Sequence, residues 1–295
     1  MHYSDGACWR PLFEQAGAML QVTRGCSHNQ CKFCTMFKGI MFSLSPEDEV
    51  RADVAELAVL PRGGFDRAFL TGDNAFCPPM RRLRETIEDI RATMPGVCTI
   101  GCFARIEDVA RKSDDELREL SRFGASDDIS IGAESGIDEA LSFMRKGHTA
   151  ADIVEQCERL DKADITYDLF YLAGIVGAGR YEENVQATVR VFGKTNPERI
   201  MIHMLTLFPG APLQEDVESG AFVPSSETDV LRELRLLVEL PRNETYLLGA
   251  HIGNAAPFNA FIPQQRKRVL EYLDAKIADA DEAQLVYFRS HQRFM

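Results

Sequence analysis

Cys26, Cys31 and Cys34 fall within nine residues of one another, in the run Thr-Arg-Gly-Cys-Ser-His-Asn-Gln-Cys-Lys-Phe-Cys. Three thiolates on one short loop can hold three corners of an iron–sulfur cube. The fourth iron then lacks a protein ligand and is open to a substrate or cofactor, and an open metal position signals chemistry where a closed one signals structure. A structural zinc site with His28 as fourth ligand is the alternative. Such sites usually draw ligand pairs from two separated segments, which this loop does not do by itself. The other cysteines are Cys8, Cys77, Cys98, Cys102 and Cys157. Cys98 and Cys102 are four apart on an expected strand and so share a face, but two thiols do not make a cube. Cys157 falls on an apolar helical stripe and reads as core. Cys8 and Cys77 are isolated, and no cysteine follows residue 157 to ligate a second cluster.

Elements that alternate along the chain must position this loop. Short apolar or β-branched runs occur near 19–23, 68–71, 98–103, 129–132, 165–173 and 200–207. Between them Val50, Val54 and Leu57 share a helical face, as do Leu83, Ile87, Ile90 and Met94, and later Ile153, Cys157 and Leu160. Ser45-Pro46 reads as a helix start, Ser113 with Glu116 as a capping box, and Thr149 as an N-cap. Strand and helix repeating at roughly thirty-residue intervals mean βαβ units and a parallel sheet. Six units precede residue 207, fewer than the eight of a closed barrel. The expected fold is α/β, a partial (β/α)6 TIM-like barrel with a C-terminal helical extension; a doubly wound open sheet is the alternative. Residues 208–226 read as a loop, 227–239 as a helix, 245–248 as a possible seventh strand and 264–278 as a helix. The division expected is an N-terminal segment (1–18), a core barrel (19–207) and an extension (208–295) that packs on the core and contributes to a substrate pocket.

The chain has 295 residues, 45% of them hydrophobic, enough for one large core. No apolar run reaches the roughly 18 residues of a membrane span, and residues 1–5 lack a signal-peptide pattern, so a cytoplasmic protein is expected. The net charge of −12 repels phosphate backbones and disfavours nucleic acid as a partner. Arg266-Lys267-Arg268 is a local basic patch and reads as a solvated helix face.

In parallel α/β folds ligands gather at the carboxyl ends of the strands. The cysteine loop follows the first expected strand directly, and there it resembles the cluster loop of the radical S-adenosylmethionine (radical SAM) superfamily. Phe33 matches the aromatic before the last cysteine, and Cys31 and Cys34 keep the two-residue gap. Four residues separate Cys26 from Cys31 where the family usually has three; Gly25 and Asn29 are turn-formers able to absorb the extra one.

Further matches follow at one βα unit after another. Gly72 and Asp73 lie where the family has a Gly-Gly-Glu stretch that binds the amino group of SAM. Ile131-Gly132-Ala133-Glu134-Ser135-Gly136 and Met144-Arg145-Lys146-Gly147-His148-Thr149 are similar to the branch with oxygen-independent coproporphyrinogen oxidase, tRNA methylthiotransferases and the Elongator catalytic subunit. There the resemblance implies that Glu134 contacts SAM's ribose or the substrate, and that Arg145, with Lys146 as rival, holds SAM's carboxylate. His148 reads as helix entry or packing. On the fifth strand Ile175 and Gly177 would flank the adenine, and Asp168 matches an acid that reaches the ribose hydroxyls, although an aspartate inside an apolar strand also calls for a polar partner.

The resemblance implies one 4Fe–4S cluster on Cys26, Cys31 and Cys34, SAM on its open iron, and a 5′-deoxyadenosyl radical that takes hydrogen from an unidentified small molecule or peptide. An electron donor such as flavodoxin or ferredoxin is implied as partner. Arg10, Arg105, His203, His251 and Asn254 are candidates for the substrate pocket. Three alternatives stay open: an RNA-modifying member, a member forming a 3-amino-3-carboxypropyl radical, and a non-catalytic iron–sulfur or zinc scaffold.

Overall fold

The computed structural model describes residues 1–2, 10–14, 16–60, 64–122, 129–241 and 243–291; Cys8 lies outside them. After a 3-10 turn at Leu12–Glu14 come β1 (Ala18–Gln21), β2 (Thr23–Arg24), β3 (Ser43–Leu44), α1 (Glu47–Ala58), β4 (Arg67–Thr71), α2 (Met80–Thr93) and β5 (Thr99–Ala104). There follow α3 (Ile106–Ala110), α4 (Asp114–Arg122), β6 (Ile129–Glu134), α5 (Asp138–Phe143), α6 (Ala150–Lys162), β7 (Tyr167–Ala173), α7 (Tyr181–Phe192) and β8 (Arg199–Met204). The remainder is α8 (Leu213–Glu218), α9 (Glu227–Glu239), β9 (Thr245–Leu248), β10 (Asn259–Ile262), α10 (Arg266–Ala278) and α11 (Glu282–Ser290).

The chain forms two compact units. The first comprises Met1–Asn29, Met36–Ile131 and Glu158–Tyr167; the second comprises Gln30–Thr35, Gly132–Cys157 and Asp168–Met295. In the first unit β1 pairs parallel with β4, β4 with β5, and β5 with the first half of β6. In the second, β7 pairs parallel with β8 and β8 with β9, and β10 closes antiparallel on β9. The strand order is β1-β4-β5-β6-β7-β8-β9-β10. Among the described residues it follows the chain without reversing, unlike a doubly wound sheet, whose order reverses at a switch point. This is the strand order of a partial (β/α) barrel.

The helices bury the faces their periodicity marks. Val50, Val54 and Leu57 of α1 are buried, as are Leu83, Ile87 and Ile90 of α2. Each such side chain contributes about 1.5–3 kcal/mol on leaving water. Ser113 and Glu116 cap each other reciprocally, the Ser113 N–H donating to Glu116 at 2.7 Å and the Glu116 N–H to Ser113 Oγ at 3.2 Å. Thr149 and Asp152 do the same at the start of α6, at 2.7 and 3.2 Å.

Helix α1 starts directly after Ser45-Pro46, as expected, and the Pro46 carbonyl accepts its first helical bond. Three points need correction. Cys98 precedes β5 and is exposed, whereas Cys102 is buried within it, so the two do not share a strand face. The 208–226 segment contains α8, a helix of six residues, too short to show a period. Strand β10 went unread because it has four residues and ends at Pro263.

Candidate functional site

In the first unit, β2 pairs with β3, Thr23 opposite Leu44 and Arg24 opposite Ser43. Beyond β2, Gly25 (φ +67°) and Asn29 (φ +46°) adopt left-handed backbone on either side of Cys26, the conformation that turn-formers hold. Asn29 is anchored from both ends: its Nδ2 donates to the Phe37 carbonyl at 2.8 Å and its carbonyl accepts from Lys38 at 2.7 Å. Its backbone N–H donates to Cys26 Sγ at 3.3 Å. Cys26 is buried, and burial, with the Asp73 carboxylate beside it, pushes its thiol pKa up.

Asn74 ties the next residue down. Its Oδ1 accepts from the Ser27 N–H at 3.3 Å, and its Nδ2 donates to Ser27 Oγ and, at 3.1 Å, to the buried Asp108. The carboxyl of Asp108 is raised, chiefly by burial. Gly72 precedes Asp73 at φ +107°, and a Cβ there would stand 1.9 Å from Thr23 Oγ1 and 2.6 Å from the Thr23 carbonyl oxygen. No other residue fits that approach. Cys77 adjoins this group, its thiol pushed up to about 11 by burial and by Asp108.

In the second unit, Cys31 and Cys34 share one turn, the Cys34 N–H donating to the Cys31 carbonyl at 3.4 Å. Lys32 clamps the turn: its N–H donates to the Met144 carbonyl at 3.1 Å and its carbonyl accepts from the Leu213 N–H at 2.9 Å. The Lys32 ammonium lies 2.9 Å from Asp216 and 3.8 Å from the centre of the Phe143 ring. Phe33 packs against an apolar cluster that includes Ile137, Met144, Leu172 and Ile175. Lys146 Nζ lies 5.7 Å from the centre of the Phe33 ring and donates to Glu134 Oε1 at 3.0 Å. Both Lys146 and Glu134 are buried, whereas Arg145 is exposed. Glu134 (φ +70°) and Arg145 (φ +56°) both hold left-handed backbone. Gly177 (φ +77°) needs the absence of a Cβ, which would stand 2.7 Å from the Val223 carbonyl oxygen. Within this unit, then, the Cys31–Cys34 turn, Glu134, Lys146 and Ile175 form one neighbourhood.

Asp168 does not join it. It is the second residue of β7, roughly 16 Å before the strand's carboxyl end. Its carboxylate is held by the Arg199 guanidinium at 2.8 and 3.1 Å. The polar partner expected for a strand aspartate is present, and it is an arginine of the neighbouring strand.

The substrate candidates divide. Asn254 is structural: its Oδ1 accepts from the Met204 N–H at 3.1 Å, and its Nδ2 donates to the Ile202 and Gly249 carbonyls at 2.8 and 2.7 Å. Arg105 is buried and pairs with Glu107 at 2.5 Å; Arg10 is exposed. His203 and His251 stack with ring centres 4.2 Å apart, and Phe170 meets His203 edge-on at 5.1 Å. Burial, then the neighbouring His251, lowers His203 to about 3. His148 is buried with Nε2 3.3 Å from the Ala133 carbonyl oxygen, a packing role. A cavity of about 420 Å³ bounded by Phe192, Ile200, Leu237 and Thr245 lies toward the amino ends of β8 and β9, away from the ends where ligands gather.

One buried network escaped the sequence reading. Glu233 of α9 is fully buried and raised to about 7 by burial. It accepts from Tyr171, from Asn184 at 2.7 Å and from the Gly174 N–H at 2.9 Å. Its signal was a glutamate amid Val230, Leu234 and Leu237 on the apolar face of a helix.

The seven described cysteines form no disulfide, and among the described residues no three His, Cys, Asp or Glu side chains stand close enough together to hold an ion. The donor chemistry nonetheless fits an iron–sulfur group. The loop supplies thiols, and a backbone N–H is directed at one sulfur, the kind of hydrogen bond that tunes such clusters.

The sequence profile of the radical SAM superfamily matches residues 20–192, more than half of the chain. A tRNA-2-methylthio-N(6)-dimethylallyladenosine synthase of Alkalilimnicola ehrlichii is 26% identical over 234 residues, 76% of this chain and 49% of that protein. The chain thus spans about half the length of this curated relative. Among solved structures, Elp3 of the archaeon Methanocaldococcus infernus superposes with a TM-score of 0.56 at 14% identity, covering 89% of this chain and 64% of that one. Coproporphyrinogen III oxidase (HemN) of Escherichia coli gives 0.56 at 13% identity, over 76% and 52%. The radical S-adenosylmethionine methyltransferase TsrM of Kitasatospora setae gives 0.56 at 19%, over 70% and 40%. These likenesses show the fold.

Proposed function

We propose that this chain, which belongs to the radical SAM superfamily, cleaves SAM reductively and takes a hydrogen atom from a small-molecule or peptide substrate. The superfamily's cofactors are a 4Fe–4S cluster and SAM, and together they supply a 5′-deoxyadenosyl radical. Cys26, Cys31 and Cys34 are assigned as the ligands of the cluster. Asp73 and the backbone at Gly72 accept from the ammonium of SAM, for which a carboxylate and a carbonyl are the right acceptors. Lys146 orients Glu134 toward the ribose or the substrate. Arg145, with Lys146 as its rival, is assigned to SAM's carboxylate. Ile175 and Gly177 flank the adenine. The observation that carries this reading is the Lys146 ammonium, set between Glu134 and the aromatic ring of the Cys31–Cys34 turn. Members of this superfamily need a reductant, and we assign a flavodoxin or ferredoxin.

The test is anaerobic reconstitution with iron and sulfide, then addition of SAM and dithionite. The expected product is 5′-deoxyadenosine by mass spectrometry. Its absence from a protein that holds zinc overturns the reading in favour of a scaffold. Methylthioadenosine in its place indicates a 3-amino-3-carboxypropyl radical. A second reading, an RNA substrate, is favoured by the tRNA-modifying relative and opposed by the net charge of −12.

A further inference from the structure

The buried Glu233 network leads from α9 to two of the segments assigned to SAM. Ser135, Tyr171, Asn184 and Glu233 are each fully buried. Glu233 Oε1 accepts from the Tyr171 hydroxyl and from Asn184 Nδ2 at 2.7 Å, and Oε2 accepts from the Gly174 N–H at 2.9 Å. Asn184 Nδ2 also donates to the Tyr171 oxygen at 2.9 Å. Asn184 Oδ1 in turn accepts from Ser135 Oγ at 2.6 Å, and Ser135 Oγ accepts from the Ile137 N–H at 3.1 Å. One carboxylate therefore fixes the turn that opens at Gly174 and, through Asn184, the peptide that directly follows Glu134.

We propose that Glu233 is a positioning residue for SAM, holding the Glu134–Ser135 segment and the Gly174–Gly177 turn in binding geometry from the helix α9. This rests on the assignment of Glu134, Ile175 and Gly177 to SAM. The carboxylate suits the task because three donors converge on it and both its oxygens are acceptors. Glutamine has the same shape but turns one acceptor into a donor. It must then face either the Gly174 N–H or the Tyr171–Asn184 pair with an N–H, and a buried donor goes unsatisfied.

The experiment compares wild type with Glu233→Gln and with Leu234→Ala, the latter removing an equally buried apolar side chain one residue along the same helix. Two readouts are taken: hydrogen–deuterium exchange of peptides spanning 132–138 and 172–179 in the cofactor-free protein, and SAM affinity of the reconstituted protein by equilibrium dialysis. Glu233→Gln is expected to speed exchange in both peptides and to weaken SAM binding about tenfold. Leu234→Ala is expected to lower the melting temperature while leaving SAM affinity within about twofold of wild type. Equal exchange and equal SAM affinity in wild type and Glu233→Gln overturn the proposal, as does an equal loss of affinity in Leu234→Ala. A wild-type chain that incorporates the cluster yet fails to bind SAM overturns the underlying assignment instead, and the exchange data still report whether the network holds the two segments.

Discussion

At the scale of single residues, the tightest steric demand is at Gly72. Its left-handed backbone, and the 1.9 Å at which a Cβ would meet Thr23 Oγ1, leave no room for alanine. Gly72→Ala should cost more than about 1 kcal/mol in urea denaturation and abolish SAM binding in the reconstituted protein. A variant that folds and binds as wild type would remove Gly72 from the site. His203 gives a pH signature. Its folded pKa, about 3, lies below the ordinary 6.5. The unfolded chain therefore takes up a proton that the folded chain refuses, so the neutral imidazole's contribution is complete above about pH 6.5 and is lost as pH falls toward 3. His203→Phe should flatten this part of the stability profile, read as the difference in urea midpoint between pH 7.5 and pH 5. An unchanged difference would show that His203 binds its proton equally well in the folded and unfolded chain. The cysteines, Gly72, Glu134 and Lys146 could be nominated from sequence because each belongs to a run with distinctive residue types. The partner of Asp168 was not legible, because the Arg199 that holds its carboxylate lies 31 residues away on the neighbouring strand.

At the scale of elements, Arg289 is what ties α11 down. Its guanidinium pairs with Glu227 at 2.9 Å and donates to the carbonyls of Gly253, at 2.7 Å, and Leu205. Leu205 follows β8 directly, so α11 fastens the exit of that strand. Arg289→Ala leaves Glu227 and two carbonyls without their partner and should destabilise the chain by about 3–5 kcal/mol in thermal or urea unfolding. A loss under about 1 kcal/mol would mean water replaces the guanidinium. The seven parallel strands and the longer helices were readable because alternation and helical stripes persist along the chain. Helices α8 and α11 and strand β10 were not, since their short spans carry too few repeats for a period and tertiary contacts such as those of Arg289 decide them.

At the scale of the whole molecule, charge is the property that most restricts partners. A net charge of −12 opposes a polyanion at long range, and low salt magnifies the effect. The chain is expected to show no measurable binding to transfer RNA by filter binding at low ionic strength. Tight, salt-sensitive binding would move the RNA-substrate reading into first place. The family was legible because its motifs recur at one βα unit after another. The substrate was not, because a fold shared with a tRNA-modifying synthase, a porphyrinogen oxidase and a methyltransferase does not specify what is modified.

Glu134, like Arg145, carries a conformational cost. A side chain in left-handed backbone sits about 1–2 kcal/mol above its relaxed state, and glycine would not. Glu134→Gly is therefore expected to cost less stability than Glu134→Ala, the comparison being made by thermal melting, while both lose SAM affinity. A laboratory lineage screened for heat tolerance alone would be drawn to glycine at this position and, under the proposed role of the carboxylate, would shed SAM affinity as it gained stability.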